Sequence, residues 1–379
     1  MADHPLAVHR VEKEIAGRTL VLETGKIAKQ ATAAVLATYG GSTVMATVVR
    51  ADPRPGLDFF PMQVDYREKL TSAGKFPGGF RKREGAPNEK EVLTMRMIAR
   101  PIRPLFPDGF IDEVQLQCWV MRPAGENDTD VLAGFAASAA LAISNAPFEG
   151  PTGMVRVGRV WTDDGASFVI NPTGTQMDYS DLDLVLAGHK DGINMIEVGA
   201  AEIPDEDVLK SIEVGYDAIK QQIELIDELV AKCGQEKVMK NPLNLPSDEI
   251  MEKVKSIAAD KLTELRQLKG KQERNDAVGE LRRAVLDEHF PEKTDGTVEE
   301  AEQSRKDRGM AREAFRTLEK KITRRLIAEK GIRADGRKPA EIRPLESAVG
   351  VFQRTHGSTL FQRGETQSLV SCALGTGKD

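Results

Sequence analysis

The chain has 379 residues, of which 40% are hydrophobic and 30% charged, and a formal net charge of −6. That length points to two or three domains at roughly 100–200 residues each. An acidic balance excludes wholesale coating of a polyanion, so any nucleic-acid contact has to be local. Cys118, Cys233 and Cys372 are widely spaced and odd in number. That is neither a disulfide framework nor a zinc pattern, and it suits a reducing cytoplasm. The opening residues lack an apolar signal core, and no later run is long enough to span a bilayer, so no membrane partner is expected.

Residues 9–50 alternate and turn like an antiparallel sheet. Strands are predicted over Thr19–Gly25, Thr32–Thr38 and Thr43–Val49. Tyr39-Gly40-Gly41-Ser42 makes the hairpin between the last two. Pro53–Gly56 reads as loop and Phe59–Tyr66 as a further strand.

The stretch from Lys75 to Phe110 breaks with the acidic chain. Between Lys75 and Arg103, the cations Lys75, Arg81, Lys82, Arg83, Lys90, Arg96, Arg100 and Arg103 face only Glu84, Glu89 and Glu91, and a basic island on an acidic protein is a place for an anion. Phe76 and Phe80 are interleaved with the cations, an arrangement suited to unpaired bases on a phosphate chain. Gly78-Gly79 allows a sharp turn or a close approach. Asn88 caps a helix with Glu91 in the capping-box position, and the helix is expected to end near Arg100, before Pro101. Arg96 and Arg100, at i and i+4, then share a face, and Arg103 follows in a proline-flanked turn. The competing interpretation of this stretch is a solvated charged loop with a salt-bridged helix.

Val114–Met121 is a predicted buried strand. A helix of small apolar residues follows from about Thr129 to Ser144, packed on all sides. Its N-terminus offers free amides to an anion, but Asp128 and Asp130 stand there, which favours a structural role. Two strands surround Thr162-Asp163-Asp164-Gly165, and another pair, Leu182–Gly188 and Ile193–Val198, surrounds a tight turn in which His189 is a turn residue rather than a catalyst. Asp205–Lys232 is an amphipathic helix that Gly234 stops. Pro242 and Pro246 then mark a linker. Three helices follow: one capped by Ser247, one over Lys271–Glu288, and one starting at Thr297 with Glu300 completing a capping box. Their charges read as solvated faces. Strand patterns return over Pro344–Phe352, Gly357–Phe361 and Thr366–Leu374, and Gly364-Glu365-Thr366 echoes Gly41-Ser42-Thr43 as a glycine turn entering an apolar strand. The fold class is α+β, with domains expected at 8–236, 241–330 and 333–379. The last looks like the opening of a second copy of the first.

Four motifs together resemble the bacterial polynucleotide phosphorylase family: Phe76-Pro77-Gly78-Gly79-Phe80-Arg81-Lys82-Arg83-Glu84-Gly85, Arg100-Pro101-Ile102-Arg103-Pro104, Arg333-Ala334-Asp335-Gly336-Arg337, and Arg354-Thr355-His356-Gly357-Ser358 with Arg363-Gly364-Glu365-Thr366-Gln367. The resemblance implies a ribonuclease-PH-like (ribosomal protein S5 domain 2-like) core, an all-α domain and a truncated second core, which the family follows with KH and S1 domains. It further implies a cytoplasmic, ring-shaped homotrimer that degrades single-stranded RNA from the 3′ end, using inorganic phosphate and magnesium (Mg2+) and releasing nucleoside diphosphates. RNA-degradation partners of ribonuclease E or helicase type are also implied.

The family carries a phosphate-holding serine turn and an Asp/Asp/Lys cluster in its second core. No catalytic residue or metal ligand is therefore expected within this chain, and both are expected beyond Asp379. In the first core Val185 stands in the place of the lysine and Met177 in that of a carboxylate, so this core is expected to guide RNA without catalysing. The expected RNA-binding residues are Phe80, Arg81, Lys82, Arg83, Arg96, Arg100 and Arg103. The family's loop commonly has two phenylalanines, two arginines and another arginine after Glu-Gly. Phe80 keeps the first aromatic, Arg81 replaces the second, Lys82 and Arg83 keep the cations, and Ala86 stands where the last arginine would. A non-catalytic RNA-binding ring subunit of exosome type is the alternative, and an interaction scaffold for an acidic protein is a third reading.

Overall fold

The computed structural model describes residues 7–54, 57, 59–162, 165–268, 270–293 and 297–376. Parts of the predicted loop at Pro53–Gly56 and of the turn at Asp163-Asp164 lie outside them. The chain divides after Asn244 into two compact units.

The first unit holds two sheets with helices between them. In chain order the first sheet receives β1 (His9–Ile15), β2 (Arg18–Thr24), β3 (Ala33–Tyr39), β4 (Ser42–Ala51), β5 (Met62–Glu68) and β6 (Glu113–Arg122). The spatial order is β1-β2-β3-β4-β6-β5. All neighbours are antiparallel except β5 and β6, which pair in parallel. A parallel pair needs a long crossover, and here that crossover contains the basic stretch and α1 (Glu89–Ile102). The basic loop therefore leaves the end of an edge strand.

Tyr39 pairs with Ser42, so the hairpin turn is Gly40-Gly41. Gly40 has φ +58°, and a Cβ on Gly41 would lie 2.8 Å from that of Ala124; one glycine is needed for conformation and the other for space. The predicted strand at Phe59 starts later, at Met62. Pro61 has no amide for the ladder, and Phe60 turns inward onto Phe106 and Phe110 at ring distances of 4.7 and 5.1 Å.

The helix α2 (Asp130–Ile143) is buried at every residue. It packs on β3, β4 and β6 on one side and on β7 (Gly153–Thr162) on the other. With β8 (Gly165–Ile170), β9 (Ser180–His189) and β10 (Gly192–Ala200), β7 forms the second sheet, in the order β10-β9-β7-β8. A short α3 (Gly174–Asp178), absent from the sequence expectations, caps the β8–β9 connection with Thr173 and Gln176. The long α4 (Asp205–Cys233) packs on β1, β7 and β9. The amphipathic and all-apolar patterns thus sort the two helices correctly: α4 keeps an exposed face and α2 has none.

The second unit contains α5 (Asp248–Leu265), α6 (Lys271–His289) and α7 (Val298–Lys330) around a core of residues such as Val254, Leu262, Leu286 and Phe315. Ser247 caps α5, and the Thr297/Glu300 capping box opens α7. Gly331, at φ +61°, ends α7. A meander of β11 (Leu345–Val349), β12 (Gly357–Arg363) and β13 (Thr366–Cys372) follows, and almost none of its surface is buried.

Candidate functional site

The basic loop is held at its shoulders and free at its tip. On the entering side, the Lys75 amide donates to the Leu70 carbonyl at 3.0 Å. On the leaving side, Glu84 accepts from the Leu70 amide at 3.0 Å and pairs with Lys69 at 2.8 Å, and Arg67 donates to the Gly85 carbonyl at 2.9 Å. The Lys69 ammonium beside Glu84 holds its carboxyl below the usual range. Lys69 in turn lies 5.0 Å from the centre of the Trp119 ring.

Between these shoulders Phe76 and Phe80 are 90% and 102% exposed. Arg81, Lys82 and Arg83 are exposed, and none has a side-chain partner among the described residues. The backbone bends sharply here, with Gly79 at φ +77° and Lys82 at φ +49°.

The loop runs into α1 through the predicted capping box. Asn88 accepts from the Glu91 amide, and Glu91 accepts from that of Asn88, both at 2.8 Å. Glu91 is buried and also accepts from the Glu68 amide at 2.9 Å. One carboxylate therefore joins the helix start to the end of β5 and sets the base of the loop. This second duty could not be seen in the capping pattern, because it depends on how β5 lies beside α1.

The cations of the stretch divide into three kinds. Arg96 is exposed and has no partner among the described residues. Arg100 is also exposed and pairs with Glu197 of β10; such surface pairs contribute roughly 0–1 kcal/mol, so the arginine can exchange partners. Arg103 is committed to the fold. It donates to the carbonyls of Phe60 and Met62, both at 2.9 Å, and lies over the Phe60 ring. Burial pulls its guanidinium below the ordinary value. Lys90 is neutralised by Glu68 and Asp128, each 3.0 Å away.

The α1 helix also extends past its expected end, through Pro101 to Ile102. A proline in the last turn removes the single bond to the Met97 carbonyl, and Asn194 donates to the Pro101 carbonyl at 2.9 Å. Tertiary contact thereby supports a turn that local preference would end.

The other candidate anion site, the N-terminus of α2, is filled by the protein's own charges. Asp130 accepts from the Val131 amide and Asp128 from the Thr129 amide. Arg156 of β7 reaches Asp130 at 3.0 Å, Asp183 at 2.9 Å and Asp128 at 3.6 Å. Burial raises the Asp130 carboxyl, and Arg156 opposes that rise. These three carboxylates do not fit a magnesium site, because an arginine already bonds to them. Val185 is buried beside them and offers no charge. His189 accepts from the Asp191 amide at 3.2 Å in its turn. Burial pushes the Cys118 thiol up to about 12, so it is inert.

This geometry can present two aromatic faces and a run of cations to a flexible polyanion, and among the described residues no cluster of carboxylate, histidine or cysteine side chains could hold a metal ion. Residues 16–147 match the 3′ exoribonuclease family, domain 1, and 150–218 match its domain 2. Residues 249–338 match the polyribonucleotide nucleotidyltransferase RNA binding domain. Polyribonucleotide nucleotidyltransferase of Bacillus subtilis (strain 168) is 46% identical over 95% of this chain and 49% of its own length. That of Xanthobacter autotrophicus is 45% identical over 98% and 50%. The chain thus spans about half the length of the curated relatives it matches. A crystal structure of rice (Oryza sativa) Rrp46 overlaps 60% of this chain and 98% of its own at a TM-score of 0.44 and 12% identity, too loose a match to carry an argument.

Proposed function

The chain belongs to the polyribonucleotide nucleotidyltransferase family of 3′ exoribonucleases, and from that premise we propose that it is the RNA-guiding part of a phosphorolytic 3′-to-5′ exoribonuclease. The complete protein degrades single-stranded RNA, including mRNA, with inorganic phosphate and releases nucleoside diphosphates. Magnesium is held by residues other than those described here. Phosphoryl transfer needs cation clamps on the reacting phosphate, and the acidic cluster around Arg156 is closed to both metal and phosphate. The protein works in the cytoplasm as a homotrimer, in which three copies of the loop encircle one strand, and RNA-degradation machinery is its natural company.

The observation that carries this proposal is the loop tip: Phe80 is wholly exposed, and Arg81, Lys82 and Arg83 are exposed with no side-chain partner among the described residues, on a base anchored by hydrogen bonds, with Arg96 and Arg100 on the adjoining helix. Arg103 stays in the contact as well: it is exposed, and the bonds to Phe60 and Met62 engage only two of its five N–H groups. An aromatic and a cation fail differently when removed. Each lost phosphate contact flattens the log–log salt dependence of single-strand binding by about 0.7, so changing Arg81, Lys82 and Arg83 together to Ala should flatten it by at most about 2 units. Phe80→Ala should cost about 1–3 kcal/mol of affinity with little change in slope. Binding of a labelled single-stranded RNA to the 379-residue chain, titrated at several salt concentrations, reads both. An unchanged slope in the triple variant moves the RNA path away from this loop.

A further inference from the structure

The second unit has its own basic cavity, which the loop does not explain. It opens between the last turns of α5 and α7 and the turn after Gly331, and its volume is about 230 Å³. Arg266, Lys330 and Arg333 line it together with Leu326, Ile327 and Ile332, and no carboxylate is among its lining residues. Three features suggest that an anion belongs there. Arg333 has no side-chain partner among the described residues and is exposed. The Arg266 Nε is buried without a hydrogen-bond partner, although its Nη1 reaches Glu319 at 3.1 Å. Behind it, the buried Arg274 donates to the carbonyls of Leu268 and Ala334, both at 3.0 Å, which ties the turn to the α5–α6 connection. Burial and then the neighbouring Arg266 charge pull Arg274 below its ordinary value, with Asp335 and Glu365 opposing the shift. The opposite wall is apolar and only partly covered, with Ile327 37% and Ile332 46% exposed.

A cationic end beside an apolar wall matches a molecule with a charged head and a flat, poorly solvated body. We propose that this cavity is a nucleotide site, with phosphate on Arg266, Lys330 and Arg333 and the base against Leu326, Ile327 and Ile332. The occupant is either a free nucleoside diphosphate or one nucleotide of an RNA strand. The proposal deepens the RNA-guiding reading by adding a second contact point, and it stands on residues that the loop does not share. It also revises the expectation that the helical charges are merely solvated faces.

The test uses the 379-residue chain and two probes, a fluorescent nucleoside diphosphate and a short single-stranded RNA. Lys330 and Arg333 are exposed, so K330Q/R333Q should fold as wild type, which circular dichroism verifies. Saturable binding of either probe that weakens tenfold or more in K330Q/R333Q supports the site. Loss with the nucleoside diphosphate identifies a free-nucleotide site, and loss with RNA alone identifies a strand contact. The Arg81/Lys82/Arg83 triple Ala variant should bind the nucleoside diphosphate as wild type does, which separates failure of the loop assignment from failure of this one. Absence of saturable binding overturns the proposal, as does binding indifferent to K330Q/R333Q. Displacement of both probes by inorganic phosphate at equal concentration also overturns it, because the cavity would then hold only a simple anion.

Discussion

At the scale of single residues, Arg156 shows how the first unit closes its own anion site. It is the common partner of Asp128, Asp130 and Asp183, and the Asp130 side chain is 6% exposed. Removing one partner of a buried pair leaves an uncompensated charge and costs about 3–5 kcal/mol, so Arg156→Met should destabilise the chain by about that much at neutral pH. The loss should depend on pH in one direction. Burial raises Asp130 in the folded state, and a raised carboxyl contributes stability that is complete below its unfolded value and lost as the pH rises through its folded value. Without Arg156 the carboxyl rises further, so the deficit should be small below about pH 4 and full at pH 7. Urea unfolding of both proteins at pH 3.5 and 7 measures this, and equal deficits would show that Arg156 acts by packing alone. The aspartates at this helix start were visible in the sequence as poor company for an anion. Their arginine was not, because it comes from a strand 26 residues after Asp130.

At the scale of elements, glycines inside helices separate packing from propensity. In α4, a Cβ on Gly215 would lie 2.5 Å from Leu186 Cδ1 and 2.9 Å from Val157 Cγ2. Overpacking typically costs about 1–3 kcal/mol, more than the roughly 1 kcal/mol that Ala gains over Gly in a helix. Gly215→Ala should therefore lower the melting temperature. Gly279 of α6 and Gly309 of α7 meet nothing within 4 Å, and Ala at either should stabilise its helix by about 0.5–1 kcal/mol. A stabilising Gly215→Ala, read in the same thermal melts, would mean that α4 is free to move off the second sheet. The helices themselves were legible from period and caps, including the capping boxes at Asn88 and Thr297. Which of these three glycines is a point of close approach was not, since they look alike in sequence.

At the scale of the molecule, the meander β11–β13 stands out. Val349, Leu369 and Val370 are 82%, 57% and 51% exposed, and of the three strands only Ser358 is buried. A sheet with apolar side chains in water and open edges is prone to pairing with other copies. The 379-residue chain should therefore bind a hydrophobic dye such as ANS and self-associate with rising concentration. Changing Val349 and Val370 to Thr, which keeps the β-branched shape, together with Leu369 to Thr, which suits a strand, should reduce both. Dye binding that persists in the triple variant would place the open apolar surface elsewhere.

The sequence by itself determined the elements and their kinds: apolar period assigned α2 to the interior and α4 to a half-buried face, capping residues set where α1, α5 and α7 begin, and the glycine pair at Gly40-Gly41 made the hairpin. It also determined the motifs that mark the family, because these are contiguous runs whose chemistry is local. Only the tertiary structure decided what each charged group does, because charges act on whatever lies within a few ångströms regardless of chain distance. It gave Arg103 and Lys90 partners within the fold, carried α1 past Pro101 on a contact from Asn194, gave Arg156 its three carboxylates, and left Phe80, Arg81, Lys82 and Arg83 exposed, the three cations without a side-chain partner among the described residues, at the tip of a loop anchored by Glu84 and Glu91.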